Sequence, residues 1–158
     1  RVGIIGTVGT VGSGIHAEYL RKLDPEITVF GKACPLFVPL VEEGWLHDPV
    51  TTEVAARYLK ELQDKKVDTL ILGCTHYPLL RGVIGREMGE SVKLVNPAYE
   101  TAKSLKDLLK EKDLLNVSGE KPEHKFFVSD GVDQFRSFAN SILPYQVENT
   151  TVVDIESY

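Results

Sequence analysis

Four short apolar runs, at 2–5, 27–31, 67–72 and 92–95, alternate with stretches of helical spacing near 13–23, 35–43, 50–64 and 78–88, and this alternation constrains the fold more than any other feature. Strands joined by helices pair in parallel through right-handed crossovers, so the chain is expected to form an α/β, doubly wound, parallel-sheet domain covered on both faces. After Asn96-Pro97 the pattern loosens. A helix near 98–115 carries Leu105, Leu108, Leu109 and Leu115 on one stripe, with lysines and acids opposite. The polar stretch from Asn116 to His124 reads as a loop. A strand at 126–128, a helix bearing Phe135, Phe138 and Ile142, and a strand at 151–155 form a βα tail. The boundary is placed at Asn96-Pro97, dividing 1–97 from 98–158, with the loop near 116–124 as the second candidate.

At 158 residues and 42% hydrophobic, the chain can bury a core of its own. Its net charge of -5 and its lack of any lysine or arginine block argue against nucleic acid or an anionic membrane as the main partner. No apolar run approaches the ~20 residues that span a bilayer, and neither a signal peptide nor metal-binding CxxC spacing is present. Two cysteines forty residues apart make no disulfide framework, so a reducing, cytoplasmic compartment is expected. The chain opens on a strand-like segment without a starting methionine, as an excerpt from a longer protein would.

Chemistry concentrates in Leu70-Ile71-Leu72-Gly73-Cys74-Thr75-His76-Tyr77-Pro78, where a thiol and an imidazole follow the end of an apolar strand. Pro78 suits the first turn of a helix, which puts Cys74 at a strand-to-helix junction. Side chains two apart in an extended segment point the same way, so Cys74 and His76 can face one space. An imidazolium or a helix N-terminus can make such a thiol a base or nucleophile. The bland reading is a buried thiol beside a hydrogen-bonded histidine.

Gly6-Thr7-Val8-Gly9-Thr10-Val11-Gly12-Ser13-Gly14 also follows a strand and precedes a helix, but it lacks both the dinucleotide and the Walker spacing. It reads as a cradle for carboxylate or phosphate built on Thr7 and Thr10, or as a tight structural turn. In a parallel sheet this segment and Cys74 share the carboxyl edge and can line one crevice. Cys34, set between Ala33 and Pro35, reads as structural. Glu42 and Glu43 read as a solvated acidic pair, although carboxylates at a helix C-terminus oppose its dipole. His16, His47 and His124 read as surface residues.

Taken together, Gly73-Cys74-Thr75-His76-Tyr77-Pro78, Ala33-Cys34-Pro35 with Val41-Glu42, and Gly6-Thr7-Val8-Gly9-Thr10 resemble the glutamate racemases of the aspartate/glutamate racemase family. The likeness is strong through about Pro97 and looser to Tyr158. It implies interconversion of L- and D-glutamate for bacterial peptidoglycan, with neither cofactor nor metal, by two cysteines on opposite faces of the substrate α-carbon. On this resemblance Cys74 matches the second cysteine, His76 the histidine assisting it, and Glu42 an acid near that histidine, overriding the solvated reading. Thr75, Thr7 and Thr10, with His76, match residues that hold the substrate. The family's first half, with the other catalytic cysteine, has no counterpart here, and the segment after Asn96-Pro97 would return to pack on it. Cys34 matches a position without an acid or base role. The expected partners are therefore glutamate, the missing N-terminal half and a second copy in a homodimer. Two other readings stand beside this one: a phosphate- or nucleotide-binding module with a structural cysteine, and a Cys-His hydrolase or acyl-transfer enzyme.

Overall fold

The computed structural model describes residues 1–157. Two compact units divide after Leu115, where the polar stretch begins, so the helix that follows Asn96-Pro97 is grouped with the sheet.

The first unit is built on a four-stranded parallel sheet of order β2-β1-β3-β4, with β1 Val2–Gly6, β2 Val29–Ala33, β3 Thr69–Gly73 and β4 Lys93–Val95. Helices α1 Val8–Gly12, α2 Ile15–Leu23, α3 Phe37–Glu42, α4 Pro49–Asp64, α5 Arg81–Met88 and α6 Pro97–Glu111 connect the strands or follow them. The order reverses between β1 and β3, because the chain leaves β1 toward β2 and later returns to add β3 on the other side. Such a switch opens a crevice outside the carboxyl ends of those two strands.

Both faces of the sheet carry helices. On one, Leu70 of β3 and Leu62 of α4 approach the space above Gly3, and Ala55, Leu59, Val83 and Ile84 complete a core exposed by 1% or less. On the other, Val11 of α1 reaches over Gly31 so closely that a side chain there would collide with it. α4 starts where the Asp48 carboxylate accepts the Val50 N–H at 2.7 Å and Pro49 occupies the first turn. It buries Thr51, Ala55, Leu59 and Leu62, a spacing that keeps one stripe inward. α6 starts in the same way, with Asn96 accepting from Ala98, yet none of its residues is buried. Its stripe of Tyr99, Leu105 and Leu108 lies open.

The second unit is a small parallel β-α-β arrangement: β5 Phe126–Val128, α7 Val132–Ile142 and β6 Thr150–Val152. Ala139 and Val147 are its buried side chains, and His124 stacks flat on Tyr145 with ring centroids 4.6 Å apart. That histidine is exposed, as expected, whereas His16 is half-buried with its Nδ1 out of contact with solvent. No helix among the described residues is long and apolar enough to cross a membrane.

Three local departures from the expected elements have physical causes. The strand expected at 67–72 starts two residues later, because Val67 N–H still bonds the Leu62 carbonyl and Lys66 holds a φ of 51° in the turn leaving α4. The strand expected at 27–31 shifts likewise, since Ile27 N–H closes a turn onto Asp24. The glycine-rich segment is not an open loop: Val8–Gly12 forms a short helix, capped by Thr7 and ended at Gly14, whose φ of 66° breaks the chain before α2.

Candidate functional site

Gly6 sits in register with Ala33 on one side and Gly73 on the other. The residues that follow, Cys34, Thr7 and Cys74, therefore leave the sheet in a row, on strands ~4.8 Å apart. The crevice of the topological switch thus lies between Thr7 and Cys74.

On the β1 side, Thr7 caps α1. Its hydroxyl lies 2.9 Å from the Thr10 hydroxyl and accepts the Thr10 N–H at 3.2 Å. This pairing of Thr7 with a residue three positions on has the spacing of a helix N-cap. One of the two O–H groups is spent on the other, so the pair keeps one free donor and its lone pairs on a fixed turn beside the switch point.

On the β3 side, residues 74–77 form a turn closed by Tyr77 N–H on the Cys74 carbonyl at 3.2 Å. Within it the Cys74 sulfur lies 3.9 Å from His76 Nδ1, and the Thr75 hydroxyl lies 3.2 Å from the same nitrogen. The far nitrogen, His76 Nε2, lies 3.4 Å from Glu42 Oε1 at the end of α3. A hydrogen placed on Nε2 faces the carboxylate and leaves Nδ1 as the acceptor for the thiol or hydroxyl proton. The order carboxylate, imidazole, thiol is a path along which a proton can move. Half-buried Cys74 is accessible, and the side chains of His76 and Glu42 are 25% and 56% exposed. This half of the crevice stands open to water.

The two cysteines contrast sharply. Cys34 is fully buried and donates to the Lys32 carbonyl at 3.6 Å. Burial pushes its thiol up to about 12, against a smaller lowering by the Lys32 ammonium. It is an inert thiol at neutral pH, in keeping with the structural reading. Iodoacetamide at pH 8 is therefore expected to modify the native chain once, at Cys74, with Cys34 reacting only after unfolding. Peptide mass mapping checks this; early modification of Cys34 would contradict it.

One residue was passed over in the sequence. Tyr77 is fully buried and its hydroxyl donates to the Cys34 carbonyl at 2.8 Å. Burial raises its phenol well above the usual range, so it stays a donor. Its one legible signal was a phenol opening the apolar run Tyr77-Pro78-Leu79-Leu80 beside His76. Among the described residues, no three His, Cys, Asp or Glu side chains are grouped to hold a metal ion.

Residues 1–105 match the family model described as Asp/Glu/Hydantoin racemase. A glutamate racemase of Thermoanaerobacter sp. (strain X514) is 46% identical over 160 residues, covering 100% of this chain and 60% of that protein. Two solved structures are similar. One is glutamate racemase from Francisella tularensis in complex with D-glutamate, with a TM-score of 0.90, 37% identity, and coverage of 99% of this chain and 59% of that one. The other is a glutamate racemase isoform from Bacillus anthracis, with a TM-score of 0.89, 38% identity, and coverage of 98% and 57%. The chain thus spans about 60% of the length of the curated relatives it matches.

Proposed function

The chain belongs to the Asp/Glu/hydantoin racemase family, and from that premise we propose that it supplies one side of a glutamate racemase site, interconverting L- and D-glutamate in the cytoplasm for peptidoglycan. The observation that carries this reading is the path from Glu42 through His76 to Cys74, set at the switch point opposite the Thr7–Thr10 hydroxyl pair.

Racemisation removes the α-hydrogen from one face of the substrate and returns one to the other. Cys74 serves one face: as thiolate it takes the proton from one enantiomer, and as thiol it returns a proton when the reaction runs backward. His76 Nδ1 exchanges that proton with the sulfur, and Glu42 orients the ring and stabilises its charged form. Thr7, Thr10 and Thr75 hold the carboxylate and amino groups. No cofactor or metal enters the proposal.

The α-hydrogen of an amino acid is very weakly acidic, so the carbanion needs fixed donors in a site closed to water. The open Glu42 and His76 side chains and the uncovered stripe of α6 both call for a covering domain. The proposed source is the missing N-terminal half, which also brings the second cysteine and receives the tail 98–158. Similarity to a racemase solved with D-glutamate supports glutamate as the substrate.

The isolated chain is expected not to racemise glutamate, as read by polarimetry or a coupled assay. Joined to the N-terminal part of the Thermoanaerobacter relative, it should exchange the α-hydrogen with deuterated solvent and racemise both enantiomers. Turnover by the isolated chain would refute the division of the site; a folded, joined protein that exchanges no α-hydrogen would refute the racemase reading.

A further inference from the structure

We propose that Tyr77 is a positioning residue for the proton path, its hydroxyl tying the Cys74–His76 turn to the start of the helix that carries Glu42. This rests on the racemase reading of the site and adds a residue to it. Three observations support the assignment.

The first is the convergence of bonds on the backbone of Cys34. Its N–H donates to the Gly6 carbonyl at 2.9 Å, at the root of the Thr7 turn. Its carbonyl accepts Phe37 N–H at 3.1 Å, where α3 begins, and the Tyr77 hydroxyl at 2.8 Å. One peptide position therefore joins all three segments of the site: the β1 turn, the helix ending in Glu42, and the turn bearing Cys74 and His76.

The second is the placement of Tyr77 at both ends. Its backbone N–H closes the Cys74 turn and its hydroxyl reaches across 43 positions to Cys34. Between them its ring packs perpendicular to Phe37, with centroids 5.2 Å apart at 90°, and Phe37 packs on Tyr58 in the same manner. Phe37 and Tyr77 are fully buried, so a shift of either carries α3 with it.

The third is the choice of residue. A phenylalanine would fill the same space without a polar atom to satisfy, whereas a buried phenol costs free energy unless its hydroxyl is bonded. The hydroxyl adds direction to the packing: it fixes the turn against α3 while the 3.4 Å approach of His76 to Glu42 crosses the same junction.

The experiment is a double-mutant cycle on Tyr77→Phe and Glu42→Gln. In the joined racemase, Tyr77→Phe is expected to lower kcat roughly tenfold with KM within about twofold, a loss worth ~1.4 kcal/mol. Glu42→Gln should then cost a smaller factor in the Tyr77→Phe background than alone, because the pair is already misplaced. An unchanged kcat, or losses that multiply, would overturn the assignment. Tyr58→Phe loses the 3.3 Å bond from Leu36 N–H at the start of α3 but no bond to the Cys74 turn, so it should lower kcat less than Tyr77→Phe does; an equal loss would overturn the tether. A second readout needs no turnover: the iodoacetamide rate of Cys74 in this chain should change in Tyr77→Phe, and the change should vanish in a His76→Asn background. If the joined protein never racemises while this alkylation cycle behaves as expected, the racemase reading fails and the tether stands. Should Tyr77→Phe not fold, 3-fluorotyrosine at position 77 keeps the hydroxyl and alters its donor strength; an alkylation rate independent of that change would overturn the tether.

Discussion

Cys74→Ser is expected to reduce racemisation by the joined protein by roughly 10³-fold or more while leaving the fold intact. A positioned acid or base contributes about 10² to 10⁴ in rate, and serine keeps the shape of cysteine without its acidity. An alcohol does not give up its proton to an imidazole near neutral pH as a thiol can, so the path from Glu42 through His76 ends in a group that cannot take its turn as base. The loss corresponds to ~4 kcal/mol of transition-state stabilisation. Cys74 is only half-buried, so the melting temperature should move little. The two-base scheme adds a sharper expectation. The enantiomer whose α-hydrogen faces the other cysteine should still exchange that hydrogen with deuterated solvent, while its mirror image should not. Cys34→Ser is the counterpart. It places a hydroxyl where a thiol is fully buried, so it should lower stability and spare the chemistry of whatever fraction folds. Proton NMR of each enantiomer in deuterium oxide, beside thermal melts, separates these cases. Equal exchange of both enantiomers by Cys74→Ser would remove Cys74 from the reaction.

The fold was largely legible because its signals are local. Apolar runs bounded by glycine, asparagine and proline mark the strands, and the helix expected after Asn96-Pro97 starts there, capped by Asn96. The shifts of β2 and β3 arose where a turn and the strand compete for the same backbone groups, at Ile27 and Val67. α1 escaped notice because glycine is a poor helix former. What offsets this is the capping by Thr7 and the packing of Val11 on Gly31, the second of which depends on a strand twenty residues away. The site divides along the same line. Cys74, Thr75 and His76 are adjacent in sequence, so their proximity could be read from it, but the extended geometry expected for them is replaced by a turn in which His76 is helical and Tyr77 N–H closes onto the Cys74 carbonyl. The approach of Glu42 to His76 spans 34 positions and depends on how α3 packs through Phe37 and Tyr77. Composition alone made Glu42 a solvated acid, and it is indeed more than half exposed. Only the resemblance to a known family singled it out.

The second large effect is expected from one methyl group. Gly73→Ala should destabilise the chain by about 2–4 kcal/mol, since overfilling a packed site already costs ~1–3 kcal/mol and backbone here must move as well. A Cβ on residue 73 would stand 2.7 Å from the Ile5 carbonyl oxygen, closer than such atoms approach, with the Ile4 side chain at 3.5 Å. The obstructing atom belongs to the neighbouring strand, so the strain is relieved only by parting β1 from β3 at their carboxyl ends. Those are the ends at which Gly6 and Gly73 stand in register, one residue before Thr7 and Cys74. A separation there widens the crevice between the hydroxyl pair and the thiol and loosens both halves of the site together. Two other glycines grade the argument. Gly3→Ala meets the tip of Leu70 at 3.0 Å, a side chain that can turn aside, so its cost should be near 1 kcal/mol. Gly9→Ala in α1 meets nothing within 4 Å and should be neutral or stabilising by up to ~1 kcal/mol, from the restricted unfolded chain and the better helix former. Urea unfolding of the three variants should rank them Gly73, Gly3, Gly9 from most to least harmful. A Gly73→Ala chain as stable as the parent would mean that the close approach of β1 and β3 does not set the geometry of the crevice.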